Sequence, residues 1–106
     1  LAGVSAGGRF DGPLGPLKLP DGARGGPGLL TFRPEAVRIG PAPVNSLTAT
    51  VTERLYLGTQ TRLRLAVGDA HIEAVLSPDL VEGIGPGDTL AIHLPPGSLW
   101  VMEGPA

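Results

Sequence analysis

Two runs of alternating apolar residues, separated by Gly68-Asp69, restrict the possible folds of this chain more than any other feature. Leu63, Leu65 and Val67 alternate with Arg62, Arg64 and Ala66 before the break. After it, Ile72, Ala74 and Leu76 alternate with His71, Glu73 and Val75. A period of two sends successive side chains to opposite faces of a strand. A two-residue Gly-Asp loop suits the primed turns whose twist matches paired strands. The pattern predicts a hairpin that pairs Val67 with Ala70, Leu65 with Ile72 and Arg64 with Glu73. A slip of one residue would bury Arg64, so burial itself selects this register.

Glycine and proline punctuate the rest unevenly. Residues 1–28 hold nine Gly and four Pro, whereas residues 44–82 hold two Gly and one Pro. The first stretch reads as short extended pieces joined by turns, partly loose, with Gly15 to Leu19 as its best strand. Further strands are expected at Leu29 to Phe32, Val37 to Ile39, Leu47 to Leu57, Thr89 to Leu94 and Leu99 to Met102. Arg33-Pro34 stops one of them, because the residue before proline is pushed out of helical geometry. Ser77-Pro78 resembles the start of a helix, which Gly83 limits to about one turn. Many short strands without a long helix predict an all-β barrel or sandwich.

Composition then excludes whole classes of function. The 106 residues support one domain, and 42% hydrophobic content allows one modest core. No apolar run reaches the about 18 residues of a membrane helix. Cysteine is absent, which excludes disulfides and thiolate metal sites and fits a reducing compartment. A net charge of −2 with mixed signs leaves no footprint for nucleic acid or anionic lipid. No charged-then-apolar leader opens the chain, so secretion is not expected. The first residue is Leu1, and a piece of a longer polypeptide is the expectation.

Catalytic strings fail on their context. Gly3-Val4-Ser5-Ala6-Gly7 spells the G-x-S-x-G nucleophile pattern, but Gly8 to Pro13 cannot form the helix that this elbow requires. Gly83 to Asp88 resembles a phosphate-cradling loop, yet Pro86 lacks an N–H, Asp88 repels phosphate and a strand follows. No G-x-x-x-x-G-K-[ST] string occurs, so ATP binding through a P-loop is excluded. His71 and His93 fall on outward strand positions without a second ligand at metal spacing. Arg62 and Arg64 form a small basic strip that Glu73 partly neutralises.

Three motifs then occur together in order. Thr31 to Ile39 contains Arg33-Pro34-Glu35 and resembles the R-P-E signature of TOBE domains. Leu47 to Arg62 contains Tyr56-Leu57-Gly58 and is similar to that family's long strand and glycine turn. Gly85 to Leu90, with Gly87-Asp88, resembles its G-D approach to a late strand, and Leu99 to Met102 sits where its last strand ends. The likeness covers residues 29–102 well and 1–28 loosely.

This resemblance implies a small OB-like β-barrel with short turns and at most one-turn helices. Residues 29–106 would form the barrel, and residues 1–28 would add short strands to the same domain. It also implies the C-terminal regulatory or dimerisation domain of an ABC-importer ATPase subunit, without catalytic, metal or cofactor sites of its own. ATP and Mg would belong to the ATPase domain of the same polypeptide. The implied partners are that ATPase domain, a second copy of the chain and, indirectly, membrane permease subunits. The implied location is cytoplasmic, at the inner face of the cell membrane. Tyr56 to Arg62 looks most like polyamine-type and iron-type importers.

Arg33, Pro34 and Glu35 are then expected to matter as structure, with Arg33 or Glu35 pinning the turn through charge-assisted bonds. Gly58 is expected where a side chain is unwelcome. A small core leaves apolar positions over, and Val75 on the outer face and Trp100 near the end are expected to pack against a second copy. An alternative class is the related molybdate-binding barrel, which holds an oxyanion at a subunit interface. Its S-A-R-N style opening is absent, and Val44-Asn45-Ser46 replaces it poorly.

Overall fold

Glycine and proline interrupt most of this chain at short intervals, β-branched residues recur in its longest uninterrupted run, and ten segments become strands among the described residues. The computed structural model describes residues 1–103. In chain order the strands are β1 (Ala2–Ala6), β2 (Arg9–Gly12), β3 (Gly15–Lys18), β4 (Gly26–Thr31) and β5 (Arg38–Ile39). They continue with β6 (Ser46–Tyr56), β7 (Thr61–Val67), β8 (Ala70–Leu76), β9 (Thr89–His93) and β10 (Trp100–Glu103). Three single turns of 3-10 helix, Pro34–Ala36, Pro78–Val81 and Pro96–Ser98, each begin on a proline whose missing N–H costs nothing there.

The strands form two five-stranded sheets, ordered β10-β4-β1-β2-β3 and β5-β9-β6-β7-β8. Every pairing is antiparallel. The sheets close over one apolar core in a small OB-like arrangement. Phe10, Leu17 and Leu30 enter it from the first sheet, and Leu63, Leu65 and Ile92 from the second. The β7–β8 hairpin forms with Val67 on Ala70, Leu65 on Ile72 and Arg64 on Glu73. The Gly/Pro-rich start is more ordered than its composition implies, since it supplies β1, β2, β3 and the first half of β4.

Ser5 lies in mid-β1, buried and opposite Phe10, so the G-x-S-x-G string is strand rather than elbow or loose terminus. Thr61 at the start of β7 is fully buried, and its hydroxyl has no hydrogen-bond partner. An unmet buried hydroxyl costs about 1–3 kcal/mol, and valine has nearly the same shape without it. Thr61→Val is therefore expected to raise stability by about 1 kcal/mol, read as a higher urea midpoint at unchanged slope.

Candidate functional site

The Arg33-Pro34-Glu35 motif makes the turn between β4 and β5. Arg33 is extended at φ −82°, ψ 145°, as a residue before proline must be, and the Ala36 N–H donates to its carbonyl at 2.9 Å. The expected pinning by Arg33 or Glu35 is not what holds the turn. The bond comes from Arg38, whose guanidinium donates to the Glu35 carbonyl at 2.8 Å. Both Arg33 and Glu35 point their charges to solvent, where desolvation is avoided. The turn packs against β8.

Gly58 sits at φ +88° in the β6–β7 turn, a region in which any other side chain is strained. Tyr56 precedes it and is 63% exposed, with Leu55 and Leu57 also exposed. The reason is the length of β6. Its pairing with β9 covers only Ser46 to Thr50, and a bulge follows between Val51 and Glu53, so the end of β6 has a neighbour on one side only.

Gly87 and Asp88 close that bulge. The Gly87 N–H donates to the Val51 carbonyl at 2.8 Å, and the Val51 N–H returns to the Asp88 carbonyl at 2.8 Å. The Asp88 carboxylate accepts the Gly85 N–H at 2.8 Å, and the Asp88 N–H reaches the Gly85 carbonyl at 3.1 Å. The N–H groups of Gly85, Gly87 and Asp88 are thus committed, so this loop has no cradle to offer a phosphate. Its motif is structural.

In the sequence Asn45 reads only as part of a poor replacement for an oxyanion-binding entry, and its position commits its side chain elsewhere. At φ +57° it is the single non-glycine residue in the left-handed region among the described residues. Its Oδ1 accepts the Lys18 N–H at 2.7 Å. Its Nδ2 donates to the Lys18 carbonyl and the Leu94 carbonyl, both at 2.9 Å. Lys18 ends β3 in one sheet and Leu94 follows β9 in the other, so one carboxamide ties the two sheets together. Both amide hydrogens are spent. The tolerance of asparagine for positive φ was the only local signal.

Val75 and Trp100 part company. Val75 is only 9% exposed, because its register partner Arg62 lies beside it and the Pro34–Ala36 turn packs on its strand. It is covered within the chain and has little surface left for a second copy. Trp100 is exposed on β10. His71 is exposed, while His93 is half-buried with Nδ1 2.8 Å from the Gly40 carbonyl, which fixes its ring. Arg62 approaches Glu73 at 3.9 Å on the outer face, a solvated pair worth little.

Among the described residues, no cluster of His, Cys, Asp and Glu has the geometry to hold a metal. No helix there is long and apolar enough to cross a membrane.

Comparison with known proteins places the chain against one family model, described as TOBE domain, over residues 30–102. The chain is also 30% identical over 99 residues to the Fe(3+) ions import ATP-binding protein FbpC of Streptomyces avermitilis. That alignment covers 93% of this chain and 28% of the relative, so the chain spans less than a third of the relative's length.

Proposed function

The chain belongs to the TOBE domain family, and we propose that it serves as the regulatory and dimerisation domain of an ABC-importer ATPase subunit that takes up iron. The observation that carries this is the match along nearly all of the chain to part of a protein named for Fe(3+) import and ATP binding. ATP and Mg are then held by the ATPase domain of the same polypeptide, as this chain has no P-loop. Its partners are that domain, a second copy of itself and, through the ATPase, the permease subunits. The working place is the inner, cytoplasmic face of the membrane. Iron is favoured over polyamine because the relative's name carries it.

Two local observations favour a binding-partner role over a small-ligand role. The N–H groups of the Gly85–Asp88 loop are used internally, and the Asn45 carboxamide is saturated by backbone. Such committed donors leave these two places nothing to offer an oxyanion without breaking their local structure.

The test is deletion of residues 1–106 from the longer ATPase polypeptide, with the remainder assayed in membranes beside its permease. ATP hydrolysis is expected to persist, while its coupling to Fe(3+) uptake and the stability of the ATPase dimer fall. Uptake, coupling and dimerisation that all match the intact protein would refute the reading.

A further inference from the structure

The chain has one asparagine, and Ser46 follows it. That pair carries a reaction of its own. The Ser46 amide nitrogen attacks the Asn45 carboxamide carbon and closes a cyclic imide. A bond forms between that nitrogen and Cγ, and the bond from Cγ to Nδ2 breaks. Nδ2 leaves as ammonia, taking the proton that the Ser46 amide gives up. Water then opens the imide at either carbonyl and leaves aspartate or isoaspartate. Nothing is oxidised or reduced. The attack is easiest where the next side chain is small and the backbone is free to bend, and asparagine counts among the thermolabile residues for this reason. Ser46 is small and stands exposed at the first position of β6.

The native fold keeps the two reacting groups from meeting. The carboxamide is held by the Lys18 N–H on Oδ1 and by the Lys18 and Leu94 carbonyls on Nδ2. The Ser46 backbone lies in the β6–β9 ladder opposite His93, and the Leu94 N–H donates to the Asn45 carbonyl at 3.2 Å. Swinging Cγ onto the Ser46 nitrogen breaks all three side-chain bonds and strands the backbone groups they satisfied. The contacts that tie the sheets therefore also block the reaction, and an unfolded chain has none of them.

Neither product fits the place it is made in. Aspartate turns an oxygen toward two carbonyls where Nδ2 donated. Isoaspartate routes the main chain through the former side-chain carbon and so lengthens it just before β6. Register there decides which residues face the core, and Ala49 and Val51 are buried by it.

We propose that Asn45-Ser46 is a self-modification site, closed by the tie between the sheets and released when that tie opens. Deamidation then marks molecules that have opened and prevents their full return to the native state.

The chain is held in native buffer and in denaturing urea at one temperature and one mildly alkaline pH. The tryptic peptide from Ile39 to Arg54 is followed by mass spectrometry and chromatography. Conversion is expected to be roughly tenfold or more faster in urea, with two products of equal mass. After dilution from urea, converted chains are expected to unfold at a lower urea midpoint than unconverted ones. Ser46→Val puts a branched side chain beside the attacking nitrogen and is expected to slow conversion in urea by about tenfold. That comparison uses unfolded chains and needs no folded variant. Equal rates in urea and buffer overturn the tie as the protecting element, and no conversion in urea overturns the site itself. Converted chains with the parent's midpoint overturn the lasting mark. An unchanged rate in Ser46→Val assigns the loss of ammonia to direct hydrolysis and overturns the imide route.

Discussion

Gly3→Ala is expected to lower stability by about 3 kcal/mol or more, a larger effect than most overpacking substitutions produce. A methyl at Gly3 would fall on the Asp11 carbonyl oxygen and within 2.5 Å of Phe10 Cζ. The aromatic ring lies across β1 and the end of β2, for a methyl at Gly12 would also stand 2.7 Å from Phe10 Cε2. The ring can be displaced, but the carbonyl belongs to the β1–β2 ladder and cannot yield without breaking it. Each kcal/mol shifts the midpoint of a domain this size by about 4–8 °C, so a fall of roughly 10–20 °C or more is expected by calorimetry. Pairing the change with Phe10→Leu is expected to restore little, since the backbone clash remains. Full recovery in the double variant would show that the ring alone made the position intolerant.

Asn45→Ala is the second large loss, expected at about 3–4 kcal/mol. Three hydrogen bonds to backbone disappear, each worth roughly 1 kcal/mol net. Alanine at φ +57° adds about 1 kcal/mol of steric cost that asparagine tolerates better. Asn45→Gly separates the two contributions, because it removes the bonds and accepts the dihedral; it is expected to be about 1 kcal/mol less damaging than alanine. Asn45→Asp is expected to match or exceed alanine above the titration of the new carboxylate. One of its oxygens replaces Nδ2 and faces the Lys18 and Leu94 carbonyls. Denaturant titration of the three variants gives the order directly. An aspartate variant as stable as the parent would mean that the two carbonyls find other donors and that the carboxamide is not the tie between the sheets.

The position of Asn45 also bears on how the small barrel works as an accessory domain. A sheet-to-sheet tie made by one side chain leaves the rest of the junction to apolar packing around residues such as Val37 and Leu94. The first sheet is thereby held against the second by a polar tie as well as by the core.

The sequence by itself determined what depends on neighbours in the chain. The β7–β8 hairpin and its register follow from a period of two and a Gly-Asp turn, both local. The same holds for the extended Arg33 before Pro34 and for the 3-10 turns that start on proline. The ordered motifs around Arg33, Gly58 and Gly87 likewise carried the family: Gly58 and Gly87 mark left-handed geometry that few other residues accept, and Pro34 holds Arg33 extended.

The tertiary structure decided what depends on segments far apart in the chain. Val75 alternates outward, yet Arg62 and the turn from Pro34 to Ala36 cover it. Asn45 reads as one more polar loop residue until Lys18 and Leu94 arrive from two sheets. Gly3 and Ser5 read as part of a loose terminal stretch until Phe10 crosses the one and faces the other. Trp100 and Val4 lie nearly a hundred residues apart, and only the pairing of β4 with both their strands puts them on one face. Periodicity assigns a side chain to a side of its own strand; only the meeting of distant strands determines what covers that side, and what it is left to bind.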